Sequence, residues 1–337
     1  MRVVNGLSVL GFLFFVFMAP ALALEARQVV TTPDGDYFGF DLRSEQNVTL
    51  DQCKTSCLGD SQCRAFTYNT KAKWCFLKSD FATLKPFAGA VAGKVVPLAG
   101  DPDLGAPPAV AWFPDWMVPE AQAMHKRIVA DQPSDEEGMA ALTEAGHNAI
   151  LTGDPRTAVQ KFTAAVRILP DDAGLWLDLT RAIQAVRGIN YQETASLKSE
   201  VTAAAWNAYL VSRTAPVRAG ILAALAVGLD NRDLFRPALQ AYEASLALVN
   251  SALVRAEYED LKARKGFRVI EHTVEADAAS PRICAQFSED LVKVGVDYAP
   301  FVTVDEAAPK SVEAEGRQIC VGGLAHGQEY RVAFRAG

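Results

Sequence analysis

Apolar and polar residues follow different rhythms in successive parts of this chain. Leu7 to Met18 is a nearly unbroken apolar run behind Arg2 and the amino terminus. Pro20 breaks the run, and Ala21-Leu22-Ala23 supplies a small-x-small cleavage pattern. The pattern predicts a secretory signal over residues 1–23, cut between Ala23 and Leu24. The competing reading is a retained anchor, but the run is short of the ~20 residues a membrane span needs. No cysteine follows the cleavage pattern, so a lipid anchor has no acceptor.

Residues 37–96 read as a small α+β unit. Tyr37-Phe38-Gly39-Phe40-Asp41-Leu42 has strand-like aromatic content. Thr49-Leu50-Asp51-Gln52 is a capping box, in which the threonine hydroxyl takes the amide three residues on and the glutamine reaches back. The helix it starts places Cys53 and Cys57 one turn apart on one face. Arg64 to Tyr68 alternates like a half-buried strand, Trp74 to Leu77 makes another, and Ala90 to Val96 closes the sheet. Asn47-Val48-Thr49 matches a glycosylation sequon, but Thr49 is already explained as a cap.

Residues 97–118 break the pattern. Prolines at 97, 102, 107, 108 and 114, with Pro119 just beyond, make an extended connector. Its aromatic cluster Trp112-Phe113-Pro114-Asp115-Trp116 is expected to dock on the helices that follow.

Over residues 119–266 apolar positions recur at spacings of three and four, with abundant Ala and Leu. Ser134-Asp135-Glu136-Glu137 is a second capping box, and Gly153-Asp154-Pro155 is a stop, an N-cap and an N1 proline in succession. Gly146, Ala158, Phe162, Ala165 and Pro170 have the spacing of a tetratricopeptide repeat (TPR). Trp176 and Leu179 open the next repeat, and Leu222, Leu225, Ala238, Tyr242 and Ser245 form a fainter echo. A TPR-like solenoid is expected, with a generic bundle as the alternative. It offers a surface for a peptide or partner domain, or serves as a rigid spacer. Gly266 is placed as the residue that ends it.

From residue 267 the period becomes two. Phe267 to Glu275, Arg282 to Phe287, Phe301 to Val304, Arg317 to Val321 and Tyr330 to Arg335 are strand candidates, with Gly322, Gly323 and Gly327 at turns. Residues 267–337 read as an antiparallel sandwich of immunoglobulin type. Cys284 and Cys320 fall in separate apolar strands and are expected to pair. A sandwich ending at Gly337 lacks its last strand, which suggests a truncated product or fragment, or an edge supplied by a partner. The fold class is multidomain α+β.

Composition narrows the function. A chain of 337 residues, half of them hydrophobic, supports two or three domains with real cores. The net charge of -7 is spread without a basic stripe, which argues against nucleic acid. His125 and His147 show no acidic or cysteine partner, and Glu257-Tyr258-Glu259-Asp260 reads as a solvated helix face. No nucleophile elbow, His-Glu-x-x-His helix, phosphate loop or dinucleotide fingerprint occurs, so no catalytic, cofactor or metal residue is assigned and a non-enzymatic protein is expected.

The six cysteines are even in number, and export favours pairing all of them. The string Cys53-x3-Cys57-x5-Cys63-x11-Cys75 allows three pairings, of which Cys53 with Cys57 joins adjacent turns of one helix and constrains almost nothing. A zinc site is the competing chemistry, but the spacing is loose for one. The helix Cys-x3-Cys, then Cys63-Arg64-Ala65-Phe66-Thr67-Tyr68, then Cys75-Phe76-Leu77-Lys78 resembles the PAN/apple family in its short form. That resemblance implies Cys53 paired with Cys75 and Cys57 with Cys63. It also implies ligand contacts made by variable surface residues.

The order of parts, with Ser280-Pro281-Arg282-Ile283-Cys284-Ala285-Gln286-Phe287-Ser288 and Gly323-Leu324-x2-Gly327-x2-Tyr330-Arg331-Val332, resembles the N-terminal region of bacterial alpha-2-macroglobulin family proteins. That family traps proteases through a bait region and, in many members, a Cys-x-Glu-Gln thioester. This chain carries neither, so the resemblance implies the leading interaction domains and not the trap. The expectation is an exported, periplasmic or extracellular, interaction module without a membrane span. The alternative is a free-standing apple/TPR adaptor that binds protein or carbohydrate at the cell surface. Amino-terminal sequencing of exported chain is expected to start at Leu24, and a start at Met1 would refute cleavage.

Overall fold

The computed structural model describes residues 27–97, 101–130, 137–291 and 295–335. The signal with its Ala23-Leu24 cleavage point lies outside them, as do Ser134 to Glu136 of the second capping box. The chain divides into two compact units, residues 1–100 and 101–337.

Among its described residues the first unit is a five-stranded antiparallel sheet carrying one helix. Its strands are β1 (Arg27–Asp36), β2 (Asp41–Gln46), β3 (Ala65–Asn69), β4 (Trp74–Lys78) and β5 (Lys85–Pro97), in the order β1-β5-β3-β4-β2. Helix α1 (Leu50–Gly59) starts at Thr49 through the expected capping box, with both reciprocal hydrogen bonds present. The expected strand at Tyr37 to Leu42 is not one. Residues 37–40 are the turn between β1 and β2, and Phe40 there takes a positive φ of 55°. Tyr37 there covers the sheet and is not a rung of it, while Phe38 is exposed. Strand β1 escapes the alternation rule because it is an edge strand, exposed along most of its length.

Cys53 and Cys57 face the sheet from α1. The structure joins Cys53 to Cys75 on β4 and Cys57 to Cys63 before β3, the pairing that the PAN resemblance implies. All four are fully buried with Phe66 and Leu77. Each bridge contributes about 2–4 kcal/mol, most of it by restricting the unfolded chain. Phe66 lies so close under Gly93 that an added Cβ would sit 2.3 Å from its ring.

The second unit begins with the proline-rich segment, which packs on the helices. Among the described residues eight α-helices follow: α2 (Val118–Ala130), α3 (Met139–Leu151), α4 (Pro155–Ile168), α5 (Ala173–Ala185), α6 (Tyr191–Val211), α7 (Ala215–Asp230), α8 (Phe235–Leu248) and α9 (Ala252–Lys265). The antiparallel pairs α3/α4, α5/α6 and α7/α8 stack in TPR-like sequence, each second helix also touching the next first helix. Gly153 at φ +78° makes the first tight turn, and Asp154 caps α4 by accepting from the Thr157 amide. The repeat residues do what their spacing requires. Ala158, Phe162 and Ala165 are buried, and a Cβ on Gly146 would meet the Phe162 ring at 2.7 Å. Trp176 is buried and donates its indole N–H to the Pro170 carbonyl at 2.8 Å. The fainter echo is buried too, Leu222, Leu225, Ala238, Tyr242 and Ser245 included. Gly266 ends α9, but in extended conformation (φ -66°) and not left-handed. Its lack of a Cβ matters because that atom would lie 2.4 Å from the Lys262 carbonyl oxygen.

The remaining strands form two antiparallel sheets. β6 (Val269–Glu275), β7 (Arg282–Phe287), β10 (Gln318–Gly322) and β9 (Ser311–Glu315) make one, in the order β6-β7-β10-β9. β8 (Val302–Val304) and β11 (Val332–Phe334) make the other. Ala285, Phe287, Ile319 and Val321 of the first meet Val302, Val304, Val332 and Phe334 of the second. Strand β9 was not among the expected strands, since Val312 is its only large apolar residue. Cys284 pairs with Cys320, but directly across neighbouring strands of one sheet. An immunoglobulin domain places its bridge between two sheets. This one lies on the outer face, because Ala285 and Phe287 take the inner one.

Truncating Phe162 to Ala empties a site closed by Gly146, Ala158 and Ala165, and is expected to cost about 3–5 kcal/mol. Urea unfolding of the two forms measures it; a loss below 1 kcal/mol would show that the helix pair does not depend on this contact.

Candidate interaction surfaces

In the first unit the side of the sheet away from α1 is half covered. Tyr37 and Phe81 roof one end with rings 5.1 Å apart, and the Tyr37 amide donates to Thr67 Oγ1 at 3.1 Å. Lys78, itself buried, donates to the Gly39 carbonyl and to Asp41 Oδ1 at 2.9 and 2.7 Å. Burial pushes the Tyr37 hydroxyl pKa upward.

The other end is bare. Trp74 and Phe76 lie there with ring centroids 6.0 Å apart, and Trp74 is 38 % exposed. Register puts Gln46 and Ser44 of β2 beside them on the same face, both exposed. The β3–β4 turn at this end is rigid. Asn69 Oδ1 accepts from the Lys71 and Ala72 amides, and Thr70 is tied to Gly89. Lys71 and Lys73 project from it, exposed. An aromatic pair, amide and hydroxyl neighbours and two cations on a stiff hairpin make a contact surface. The sequence reading of Trp74 and Phe76 as ordinary strand residues did not reveal it, because exposure depends on where the 37–40 and 79–84 segments lie.

In the second unit the docking of the proline-rich segment is extensive. Phe113 stacks on Trp206 at 3.7 Å, and Tyr209 donates its hydroxyl to the Pro108 carbonyl at 2.8 Å. Buried Arg218 donates to the Gly105 and Ser212 carbonyls and to Ser212 Oγ. Of the expected aromatic cluster, Phe113 is buried, whereas Trp116 is exposed with the Arg232 guanidinium 4.9 Å over its ring. Arg232 continues to Glu120 Oε2 and Thr202 Oγ1 at 2.8 Å each, and Ser199 donates to the same carboxylate at 2.7 Å. Arg232 holds the Glu120 pKa below its ordinary value, Ser199 adds to this, and burial opposes both.

The first helices of the pairs adjoin along one face. His147 Nε2 lies 3.1 Å from Asp178 Oδ2, supplying the acidic partner that the sequence did not show, and burial raises the Asp178 pKa despite it. Gln184 donates to the Ala224 carbonyl at 3.0 Å. His125 instead stacks on Trp176 at 5.9 Å. The run from Glu257 to Asp260 is only partly solvated. Tyr258 donates to Glu243 at 2.7 Å, which pushes its pKa up to about 12. Among α2, α4, α5 and α6 lies a cavity of about 230 Å³, lined by Met124, Ile128, Val159, Leu179 and charged Arg127 and Glu200. Sites for drug-sized ligands start near ~300 Å³, so surface contacts are the main binding capacity here. Among the described residues no group of histidine, cysteine or acidic side chains is placed to hold a metal, and no helix is long and apolar enough to cross a membrane.

Residues 28–89 match the PAN domain family. That range starts earlier than the strand-like aromatic stretch at Tyr37 and takes in most of β1. No curated protein matches the chain. Among solved structures, the Arabidopsis OM64 TPR domain is 12 % identical with a TM-score of 0.32, covering 37 % of this chain and 95 % of that one. The N-terminal domain of stress-induced protein-1 from C. elegans is 13 % identical with a TM-score of 0.31, covering 37 % and 94 %. The Sgt2 TPR domain from Aspergillus fumigatus is 18 % identical with a TM-score of 0.32, covering 39 % and 80 %.

The Glu120 cluster sets an acid limit. A carboxyl whose pKa is lowered by folding stabilises the fold above the usual glutamate range and loses that contribution as pH falls through it. Melting temperature is expected to fall less steeply in Glu120→Gln than in the parent between about pH 5 and pH 3. Parallel curves would refute the linkage.

Proposed function

We propose that this chain is an exported, non-enzymatic protein-interaction module in which the PAN unit makes the ligand contact and the helical unit adds a second surface. The bare end of the PAN sheet carries the reading. Exposed Trp74, with half-buried Phe76 beside it, is costly to leave in water unless something covers it, and aromatic residues dominate interface energetics. Three disulfides with no free cysteine among the described residues support an oxidising compartment. The order of parts supports kinship with the leading region of bacterial alpha-2-macroglobulins.

The adaptor reading has its own support. Trp74 beside Gln46, Ser44 and two lysines suits stacking on a sugar ring with hydrogen bonds to its hydroxyls. Binding of surface extract and of a glycan array by the full chain separates the two readings. Trp74→Ala is expected to lower retained binding at least tenfold with the disulfides intact. Unchanged binding of both would remove this surface from the function.

A further inference from the structure

The terminal β-domain has a core face that its own second sheet does not reach. Inner-face residues can be followed across the register. Ala285 and Phe287 are buried, and their partners on β6 are His272 and Val269; Ile283 pairs with Val274. So Val269, His272 and Val274 continue the core face. Yet every β6 residue is exposed, with Val269 at 42 % and Val274 at 60 %. The reason is the narrowness of the covering sheet. Phe334 of β11 meets Phe287 edge-on at 5.2 Å, which sets β11 over β7. Val302 of β8 is buried, so β8 lies on the far side from the bare strip, and the unpaired edge of β11 looks over β6.

We propose that a second copy of this chain covers the strip, with β6 of each copy pairing antiparallel to β11 of the other. One register satisfies three separate conditions. It sets Arg331 opposite Glu275, Val332 opposite Val274, Ala333 opposite Thr273, Phe334 opposite His272 and Arg335 opposite Glu271.

The first condition is the inner and outer faces. Val332 and Phe334 point to the core in β11, as His272 and Val274 do in β6, while the other members of each pair point outward. The second is charge. Arg331 and Arg335, which flank β11, meet Glu275 and Glu271, and opposite charges across a ladder attract; Glu275 also binds Arg282 of its own sheet, so Arg335 with Glu271 is the pair that discriminates.

The third is the backbone. The Arg331 carbonyl accepts from the Asp305 amide and the Arg335 amide donates to the Phe301 carbonyl on the β8 side, so alternation turns the N–H and C=O groups of Val332 and Phe334 to the open edge. On β6 the matching groups belong to His272 and Val274. The Cα atoms of Cys284 and Cys320 are 3.9 Å apart, the close spacing of a pair without ladder bonds, so Cys284 directs its backbone to Thr273. His272 and Val274 then turn theirs outward.

The arrangement is two-fold and closes. Each β6 lies over the other, each bare strip covers its counterpart, and both open edges are consumed. It commits to a partner that the PAN reading does not require.

Sedimentation of the full chain over a concentration series tests it. The parent is expected to sediment at twice the chain mass. Arg335→Glu faces Glu271 across the interface and is expected to give single chains that stay folded, because Arg335 is exposed in the single chain, with melting lowered only by the loss of association and no longer dependent on concentration. Arg335→Glu combined with Glu271→Arg is expected to restore the double mass. A parent that stays single at every concentration overturns the proposal, as does an Arg335→Glu variant that stays double or a paired variant that stays single. Another protein captured on the strip by a single-chain parent counts against it too.

Discussion

Every supersecondary unit in this chain has an apolar face that it cannot bury alone. A single helix on a small sheet, a pair of helices and a narrow sandwich each expose more than they hide, since small units have much surface for their volume. The architecture follows from how each unit meets that shortage. The PAN unit meets it covalently, through two bridges that pull α1 onto β3 and β4. The helix pairs meet it by stacking, so that α4 serves both α3 and α5. The proline-rich segment meets it for α6, laying Phe113 on Trp206.

Close approach is what makes the stacking worth its ordering cost. Gly146 against Phe162 brings two backbones together with one ring between them. Gly228 repeats the device, where a Cβ would meet Val201 and Thr202 of α6 at 2.9 and 3.0 Å. Polar groups trapped by this packing find partners instead of water. Buried Arg218 spends its donors on two carbonyls and a hydroxyl, and Asn207 donates to the Ala121 carbonyl at 2.9 Å. Such groups fix the segment's register as well as its attachment, because an unpaired buried donor costs more than a paired one gains.

The same shortage identifies the surfaces open to partners. On the PAN sheet the roof of Tyr37 and Phe81 stops short of Trp74 and Phe76. In the β-domain the two-stranded sheet stops short of Val269 and Val274. Both are places where core-type residues continue past the element that should cover them. In the helical unit the cavity among α2, α4, α5 and α6 is small, and polar side chains pair across repeats, as His147 does with Asp178, while single apolar residues such as Leu151 and Ile189 stay exposed at helix ends.

Local patterns were legible wherever a short-range rule decides the outcome. The Thr49 to Gln52 capping box, the Gly153-Asp154-Pro155 turn, the repeat spacing around Phe162 and strand β7 all follow from neighbours in sequence. The PAN cysteine pairing was legible through its resemblance, not through spacing, which left three connectivities open. Edge strands β1 and β9 were not legible, because solvent on both faces removes the alternation that marks a strand. Nor was the His147–Asp178 pair, whose members lie on different repeats. The sequence by itself determined the units, their order and most of their elements, since these depend on period, caps and breakers acting over a few residues. Only the tertiary structure decided what is covered and what is bare, and which strands share the Cys284–Cys320 bridge. Those outcomes depend on how far one element reaches over another, a distance that no local pattern encodes.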